Sequence, residues 1–375
     1  MQSLGNLFDT LHERYPTQPV GMSEYGAGAA ISHHTDNVHG GPPEANNPGV
    51  PTVYQPEEYA AWVHEQNYTL LSSKPYIWGS FVWNMFDFAT GLRNEGDTRG
   101  VNTKGLVTYD RQTRKDPFFF YQANWSPEPV LYITSRRYTD RAYPVADIKI
   151  YSNADEVSLS VNGREVGRMS RAEAPMNTYI FKAVRFEPGR KRITAQGERD
   201  GSTVRDSVEW RYDQEAINIA CGQLASGLES SQGEMFGSDE FFIGGSGHNL
   251  VPKTRDPIAD HTPISRTSDA HLFRGYRRGT FSYLIPVPDG AYEVTVRGYE
   301  PDPRVQPGGR VFDVVANGRA QVQNLDLVRE AGAYRTVVSR TFPVEVSGGT
   351  LRLDFSPKVG EAIVSNIMVR AARAK

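Results

Sequence analysis

A chain of 375 residues, 38% apolar and 23% charged, is long enough for two or three domains with proper cores. Its formal net charge of −3 gives no electrostatic reason to expect nucleic acid or an anionic membrane as partner. A lone cysteine, Cys221, excludes an intrachain disulfide and a cysteine-based zinc cluster, and no stretch approaches the ~20 continuous apolar residues of a membrane span.

Met1–Phe8 has neither the basic start nor the apolar core of a signal peptide, and compartment is not readable from this chain. Leu4, Leu7, Phe8, Leu11 and Tyr15 follow helical spacing, and Pro16 stops that helix. Pro19–Gly26 reads as a short buried strand that delivers one carboxylate, Glu24, and then breaks at glycine. Residues 29–55, rich in Gly, Pro, Asn and His, read as a long loop of the kind that carries function on a rigid scaffold. A second helix opens at Pro56-Glu57-Glu58, with proline suited to the first turn and acids to the positive helix end. Tyr59, Trp62, Val63, Gln66 and Leu70 trace its expected inner face.

An aromatic strand follows at Ile77–Asn84, then a loop to about residue 104, and Asp116-Pro117 starts a short aromatic helix through Trp125. The strand–helix–strand order predicts two neighbouring parallel strands that present a carboxylate and a tryptophan to one site. Connections leaving the strands are long and those entering them are short, the side on which (β/α) barrels build their sites.

Ser126-Pro127-Glu128-Pro129 is a stiff polar break, and beyond it the period changes from helical to alternating. Asp147–Ser152 and Glu156–Val161 alternate cleanly, Asn162-Gly163 is a strong hairpin turn, and further strands fit 178–186, 190–197 and 204–212. Residues 127–213 are thus expected to form a β-sandwich of seven-strand, Ig-like scale. After a thin linker, turn signals at Asp289-Gly290, Asn317-Gly318 and Gly348-Gly349 predict a second, larger β-sandwich over 217–372.

Glu24 invites a chemical reading. A retaining glycosidase needs a carboxylate nucleophile on a rigid element, about 5–5.5 Å from a second carboxyl group. The ordinary alternative is a strand-end glutamate paired with a nearby lysine or arginine. Trp83 offers a flat aromatic face for the apolar side of a sugar ring, whereas Trp78 and Phe81 are expected to pack in the core. Asn102 and Lys104, two apart on a loop, can clamp a carboxylate; a solvated turn is their plain alternative. His33, His34, His39 and Asp36 have metal-ligand chemistry but no defined ligand spacing, so substrate contact or solvent exposure is expected of them.

Several motifs in order resemble one family. Ser23-Glu24-Tyr25-Gly26, the helix beginning Gln55-Pro56-Glu57-Glu58-Tyr59, Trp78 with Phe81–Phe88, Asn102–Arg111 and Lys115-Asp116 are similar to the catalytic barrel of the family 2 glycoside hydrolases, with the β-galactosidases and β-glucuronidases as nearest branches. The resemblance implies that Glu24 is the nucleophile at the end of barrel strand seven and that Trp83, closing strand eight, lines the sugar subsite. For Asn102 and Lys104 it implies a pair such as the family's β-glucuronidases use on the uronic acid, but many β-galactosidase-like relatives carry a similar stretch, so the motif does not settle the sugar. Asn94-Glu95 mimics the family's acid/base pair but follows strand eight rather than strand four, so that role is not expected of it. Residues 130–212 resemble the Ig-like domain that follows the barrel. Ala216–Gly222, Gly309–Val314 with Asn317-Gly318, and Ala362–Ile367 resemble a malectin-type carbohydrate-binding domain.

The expected fold is therefore the C-terminal part of a (β/α)8 TIM barrel (residues 1–125, strands seven and eight) followed by an Ig-like and a malectin-like β-sandwich. A complete barrel takes roughly 250 residues, so the acid/base glutamate and the N-terminal half of the enzyme are expected to lie outside these residues, leaving the chain inactive alone. The expected partner is a carbohydrate, a β-galactoside first and a β-glucuronide or other uronide as the alternative. No nucleic acid and no membrane are expected. No metal ligand is assigned and no cofactor is expected, although the resemblance allows a divalent or sodium ion in an intact enzyme. A non-catalytic carbohydrate-binding protein acting through the last sandwich is the reading from another class.

Overall fold

The computed structural model describes residues 2–42, 54–91, 96–249 and 263–372. Asn94 and Glu95 lie outside the described residues, as does part of the loop expected at 29–55.

The N-terminal part runs α1 (Gln2–Arg14), β1 (Val20–Tyr25), α2 (Glu57–Ser72), β2 (Ile77–Val82), the short pair β3 (Phe88–Ala89) and β4 (Val101–Asn102), and α3 (Asp116–Trp125). Strands β1 and β2 pair in parallel, as a strand–helix–strand connection demands. An irregularity in their register between Met22 and Tyr25 interrupts the in–out alternation. Val20 and Met22 pack toward the core, Glu24 faces solvent, and the next residue, Tyr25, is buried.

Pro56 precedes α2 with extended dihedrals, and Glu57 and Glu58 fill the first turn. The buried face of α2 is Ala60, Ala61, His64 and Leu71, not the larger residues expected, and Gln66 is exposed. Small residues sit inward because α3 packs there with Phe120 and Tyr121 fully buried, leaving little room on the helix.

A second correction concerns the aromatics of β2. Trp78 and Phe81 are 67% and 53% exposed, touching each other edge to face at 6.0 Å. Strand periodicity anticipates a covered sheet, whereas this sheet has two strands. Leu7, Leu11, Met85, Phe86 and Tyr109 are also exposed.

Seven strands follow in two antiparallel sheets: β5 (Leu131–Ile133), β6 (Val145–Ser152) and β9 (Thr178–Arg185) form one. The other is ordered β11 (Ser202–Tyr212), β10 (Gly189–Arg199), β7 (Glu156–Val161), β8 (Arg164–Ser170). Their inner faces share a core that includes Ile133, Ile148, Ile150, Val157, Leu159, Tyr179, Ile193 and Trp210. The turn between β7 and β8 is Asn162-Gly163, both with positive φ (51° and 81°), the conformation that favours this dipeptide in tight hairpins.

The last part also has two larger sheets. One is ordered Ala216–Ala220, Asn366–Ala371, Gly290–Gly298, Val338–Val346. The other is ordered Phe242–Asn249, Gly275–Pro286, Thr350–Val359, Val311–Ala316, Arg319–Leu325, with Ala362–Val364 paired on Gly275–Pro286. Between them lies the largest core, with Tyr283, Ile285, Val294, Phe312, Leu353 and Phe355 all buried. Asn317-Gly318 closes a hairpin, whereas Gly348-Gly349 carries the chain from one sheet to the other.

The cores do not respect the boundaries drawn from composition. Val130, Tyr132 and Tyr151 of the middle sandwich belong to the N-terminal core, and Tyr54, Ala142 and Tyr143 belong to the C-terminal one.

Candidate active site

The ends of β1 and β2 meet. Tyr25 pairs with Val82, and the Trp83 amide donates to the Tyr25 carbonyl at 2.8 Å, which sets Glu24 and Trp83 at the same end of the sheet. Gly26 is required here: its φ is 153°, and a Cβ would stand 2.6 Å from the Trp83 carbonyl and 3.0 Å from the His64 ring. Among the described residues no ion pair or hydrogen bond engages the Glu24 carboxylate, so the ordinary ion-pair reading of this residue finds no partner. Trp83 is 41% exposed, and its ring rests edge-on against Phe88 at 6.1 Å.

The segment after β2 forms a ladder with the Asn102–Val107 loop: Asn84 N–H donates to the Lys104 carbonyl (3.1 Å), Leu106 N–H to Asn84 (2.9 Å) and Val107 N–H to Met85 (3.0 Å). Lys104 is therefore brought beside the residue that follows Trp83. Asn102 is buried, and its Oδ1 accepts the Lys104 amide at 3.0 Å, so its carbonyl shapes the turn; among the described residues no hydrogen bond is seen from its amide NH2. The structure thus gathers Glu24, Trp83 and the Asn102–Lys104 turn at one end of two parallel strands.

What fixes that end is a residue to which sequence reasoning gave no role. Lys115 is 1% exposed, and its ammonium group donates to the Ala29 carbonyl (2.7 Å), the Asp87 carboxylate (2.8 Å) and the Thr103 carbonyl (3.0 Å). The same Asp87 oxygen accepts the Gly105 amide at 2.8 Å. All three ammonium donors are spent on three loops, those after β1, after β2 and before α3. Burial lowers Lys115 from the usual lysine range and raises Asp87 from the usual carboxylate range, each against the attraction between them.

His64 braces the same end from α2. It accepts the Ala27 amide on Nε2 (3.4 Å), so Nδ1 carries the proton toward the Tyr121 hydroxyl at 2.9 Å. Burial pushes its pKa down to about 4.

Glu57 and Asp116 share Arg137 of the middle sandwich. Asp116 is fully buried and also accepts the Ser135 amide (2.7 Å) and the Tyr132 hydroxyl (2.8 Å). Burial and the neighbouring Glu57 carboxylate, working against Arg137, push its pKa up to about 7.

In the histidine-rich loop His39 is exposed, as expected, whereas His33, His34 and Asp36 correct the expectation of solvent or substrate contact. His33 is buried, stacked on Tyr54 at 4.1 Å, and its Nδ1 accepts the Gln55 amide; burial pushes its pKa down to about 4. His34 is stacked on Tyr138 and faces Glu58 at 3.3 Å; burial opposes its charge, yet the carboxylate carries it above the usual histidine range. Asp36 is occupied by Ser226, Ser238 and Tyr138. Among the described residues no group of three or more His, Cys, Asp and Glu converges as a metal site.

The chain and its fold have relatives among the glycoside hydrolases. Residues 215–371 match the Malectin domain, and residues 144–205 match a domain of unknown function, DUF4982. Over 215 residues the chain is 36% identical to a β-glucuronidase of Bacteroides fragilis, covering 56% of this chain and 30% of that one. Over 133 residues it is 28% identical to the β-galactosidase BoGH2A of Bacteroides ovatus, covering 36% of this chain and 15% of that one. Among solved structures, Bacteroides uniformis β-glucuronidase 2 covalently bound to cyclophellitol-6-carboxylate aziridine shares the fold, with a TM-score of 0.56 at 24% identity. That match covers 99% of this chain and 44% of the other.

Residues 215–371 thus match the Malectin domain, and the chain is similar to proteins named as β-glucuronidases and β-galactosidases, which are glycoside hydrolases. It spans less than a third of the length of these curated relatives.

Proposed function

We propose that these residues are the C-terminal portion of a retaining exo-β-glycosidase. Residues 1–125 supply strands seven and eight of its catalytic barrel, 127–213 an Ig-like sandwich and 217–372 the malectin-like sandwich. The observation that carries this reading is the meeting of Glu24, Trp83 and the Asn102–Lys104 turn at the C-terminal ends of two parallel strands, where barrel enzymes place their chemistry. The exposed aromatics of β2 support it, since a two-stranded sheet with Trp78 and Phe81 facing outward has a surface that further barrel elements would cover.

In this reading Glu24 attacks the anomeric carbon and forms a glycosyl-enzyme ester. A second carboxyl group about 5–5.5 Å away, supplied by barrel strands outside these residues, protonates the leaving oxygen and then activates water. Trp83 stacks on the sugar ring, and Lys104 with the Asn102 amide NH2 meets a substituent at the ring's edge.

A β-glucuronide is the substrate we favour over a β-galactoside. The relative named as a β-glucuronidase matches more of the chain at higher identity than the one named as a β-galactosidase, and an ammonium with an amide donor suits a carboxylate. The test is hydrolysis of chromogenic β-glucuronide and β-galactoside by the chain extended upstream to a full barrel, beside its Lys104→Met variant. Preference for the uronide, lost in the variant, supports the reading; preference for the galactoside overturns the substrate. The 375-residue chain alone is expected to hydrolyse neither, and robust turnover by it would overturn the proposed position of the acid.

A further inference from the structure

Segment 29–42 leaves the strand that carries Glu24 and ends its path in the C-terminal sandwich, nearly two hundred residues away in sequence. Asp36 sits at the junction, with its backbone N–H and its carboxylate Oδ2 bonded across it. Its amide donates to the hydroxyls of Ser226 and Ser238, both at 2.9 Å. Its Oδ2 accepts the Ser226 hydroxyl, the Ser238 amide (3.2 Å) and the Tyr138 hydroxyl (3.4 Å). Thr35 Oγ1 donates to Ser238 Oγ at 3.2 Å, the Asn37 amide donates to the same oxygen at 3.2 Å, and the Ser226 amide donates to the His34 carbonyl at 2.9 Å. Two serines, both nearly inaccessible to solvent, thus serve four consecutive residues of the segment.

Steric fit extends the contact. A Cβ at Gly41 would stand 2.3 Å from the Gly222 carbonyl, and one at Gly40 would stand 2.7 Å from the Asp239 carbonyl. The floor they rest on is rigid: Asp239 accepts the Gly222 amide (2.6 Å), Arg277 Nε (2.8 Å) and the Tyr283 hydroxyl (2.7 Å), all within the buried core. At its other end the segment is continuous with the site. The Ala29 amide donates to the Thr103 carbonyl, the Ala29 carbonyl accepts Lys115, and the Ala30 amide donates to the Gln55 carbonyl.

We propose that Asp36, Ser226 and Ser238 are positioning residues that make the malectin-like sandwich a fixed anchor for the active-site end of β1. Sugar recognition by that sandwich is not needed for this role. Its contribution is to hold segment 29–42 so that Tyr25, Ala29 and the loops meeting Lys115 keep one arrangement. A segment with both ends tied loses its freedom before substrate arrives, and preorganisation of this kind is what a loop beside a reacting carboxylate requires. The functional meaning rests on the reading of Glu24 as the nucleophile; the anchoring itself does not.

The test is amide hydrogen exchange on the full 375-residue chain, comparing wild type with the double variant Ser226→Ala/Ser238→Ala, with Gly41→Ala and with Ser226→Thr. The double variant removes the hydroxyls, Gly41→Ala expels the segment by contact without touching them, and Ser226→Thr keeps a hydroxyl. Protection of the Asp36 and Asn37 amides is expected to fall at least tenfold in the first two. Protection of the Ala29, Ala30 and Trp83 amides is expected to fall with it, while the β10 and β11 amides stay unchanged and Ser226→Thr stays near wild type. The proposal is overturned if Ala29, Ala30 and Trp83 keep their protection while Asp36 and Asn37 lose it, because the anchor then stops short of the site. It is equally overturned if nothing changes, or if exchange rises uniformly along the chain. None of these outcomes bears on turnover, so failure here leaves the glycosidase reading standing, and failure of that reading leaves an interdomain anchor.

Discussion

The N-terminal α/β part and the C-terminal sandwich of this chain solve burial in opposite ways. The C-terminal sandwich closes two sheets over Tyr283, Phe312, Leu353 and Phe355, each at 1% exposure or less. The N-terminal part has a sheet of two strands, and leaves Trp78, Phe81, Met85 and Phe86 facing outward. Beside a smaller apolar core around Phe120 and Tyr121 it is held by polar hubs: Lys115 across three loops, Glu57 and Asp116 on Arg137, and Asp36 on two serines. The difference teaches that a region can be well tied to its neighbours without being a closed unit. Apolar area sets the stability of one, and directional bonds set the geometry of the other.

Matched aromatic truncations break this comparison most sharply if it is wrong. Phe355→Ala opens a cavity in the closed core and is expected to cost about 3–5 kcal/mol in chemical unfolding. Phe81→Ala in the same chain is expected to cost less than about 1 kcal/mol, because that side chain is already half exposed. Equal losses would show that the β2 face is covered.

Lys115→Met probes the polar hub of the N-terminal part. It leaves Asp87 buried without its cation and takes one donor each from the Ala29 and Thr103 carbonyls, of which Thr103 keeps the Ala29 amide, and is expected to cost about 3–5 kcal/mol. Arg168→Ala, which breaks surface pairs with Glu156 and Glu165, is the control, expected within about 1 kcal/mol. Far-apart values support the hub; similar values would reduce Lys115 to an ordinary ion pair.

Acid sharpens the contrast further. His64 has a folded pKa of about 4, below the ordinary histidine value of 6.5. The unfolded chain therefore binds the proton first, and the stability this group contributes is full above pH 6.5 and lost as pH falls toward 4. Buried His33 has the same sign and window. Asp116, pushed up to about 7, works the other way: folding keeps its proton to higher pH, so its contribution shrinks as pH rises from about 4 to 7. The clean measurement is the difference between wild type and His64→Gln. The variant is expected to show a shallower loss of stability between pH 6.5 and 4 by up to one proton's slope, and an unchanged slope would mean His64 is not held neutral.

Much of the frame was legible in the sequence. Alternation and Asn162-Gly163 marked the β7–β8 hairpin because both are local signals. The positions of Glu24 and Trp83 at paired strand ends followed from a strand, a helix and a second strand, since that order favours parallel neighbours. What was not legible depends on distant partners. Glu57 and Glu58 read as helix-end acids, yet they are buried on Arg137 and on His34 with Thr35, contacts that no period announces. His33, His34 and Asp36 read as a polar surface loop because their covers, Tyr54, Tyr138, Ser226 and Ser238, are scattered along the chain. Trp78 and Phe81 read as core because periodicity reports which face a residue takes and not whether anything lies against it. The polar break at Ser126–Pro129 suggested a clean boundary, but Tyr132 reaches back across it to Asp116.

The most direct test of Glu24 as nucleophile is covalent trapping. The chain extended upstream to a full barrel would be incubated with a 2-deoxy-2-fluoro β-glycoside bearing a good leaving group, digested, and mapped by mass spectrometry. The adduct is expected on the peptide containing Glu24, with turnover lowered on the order of a thousandfold or more in Glu24→Gln. An adduct on another carboxylate, or turnover that survives Glu24→Gln, would contradict the account.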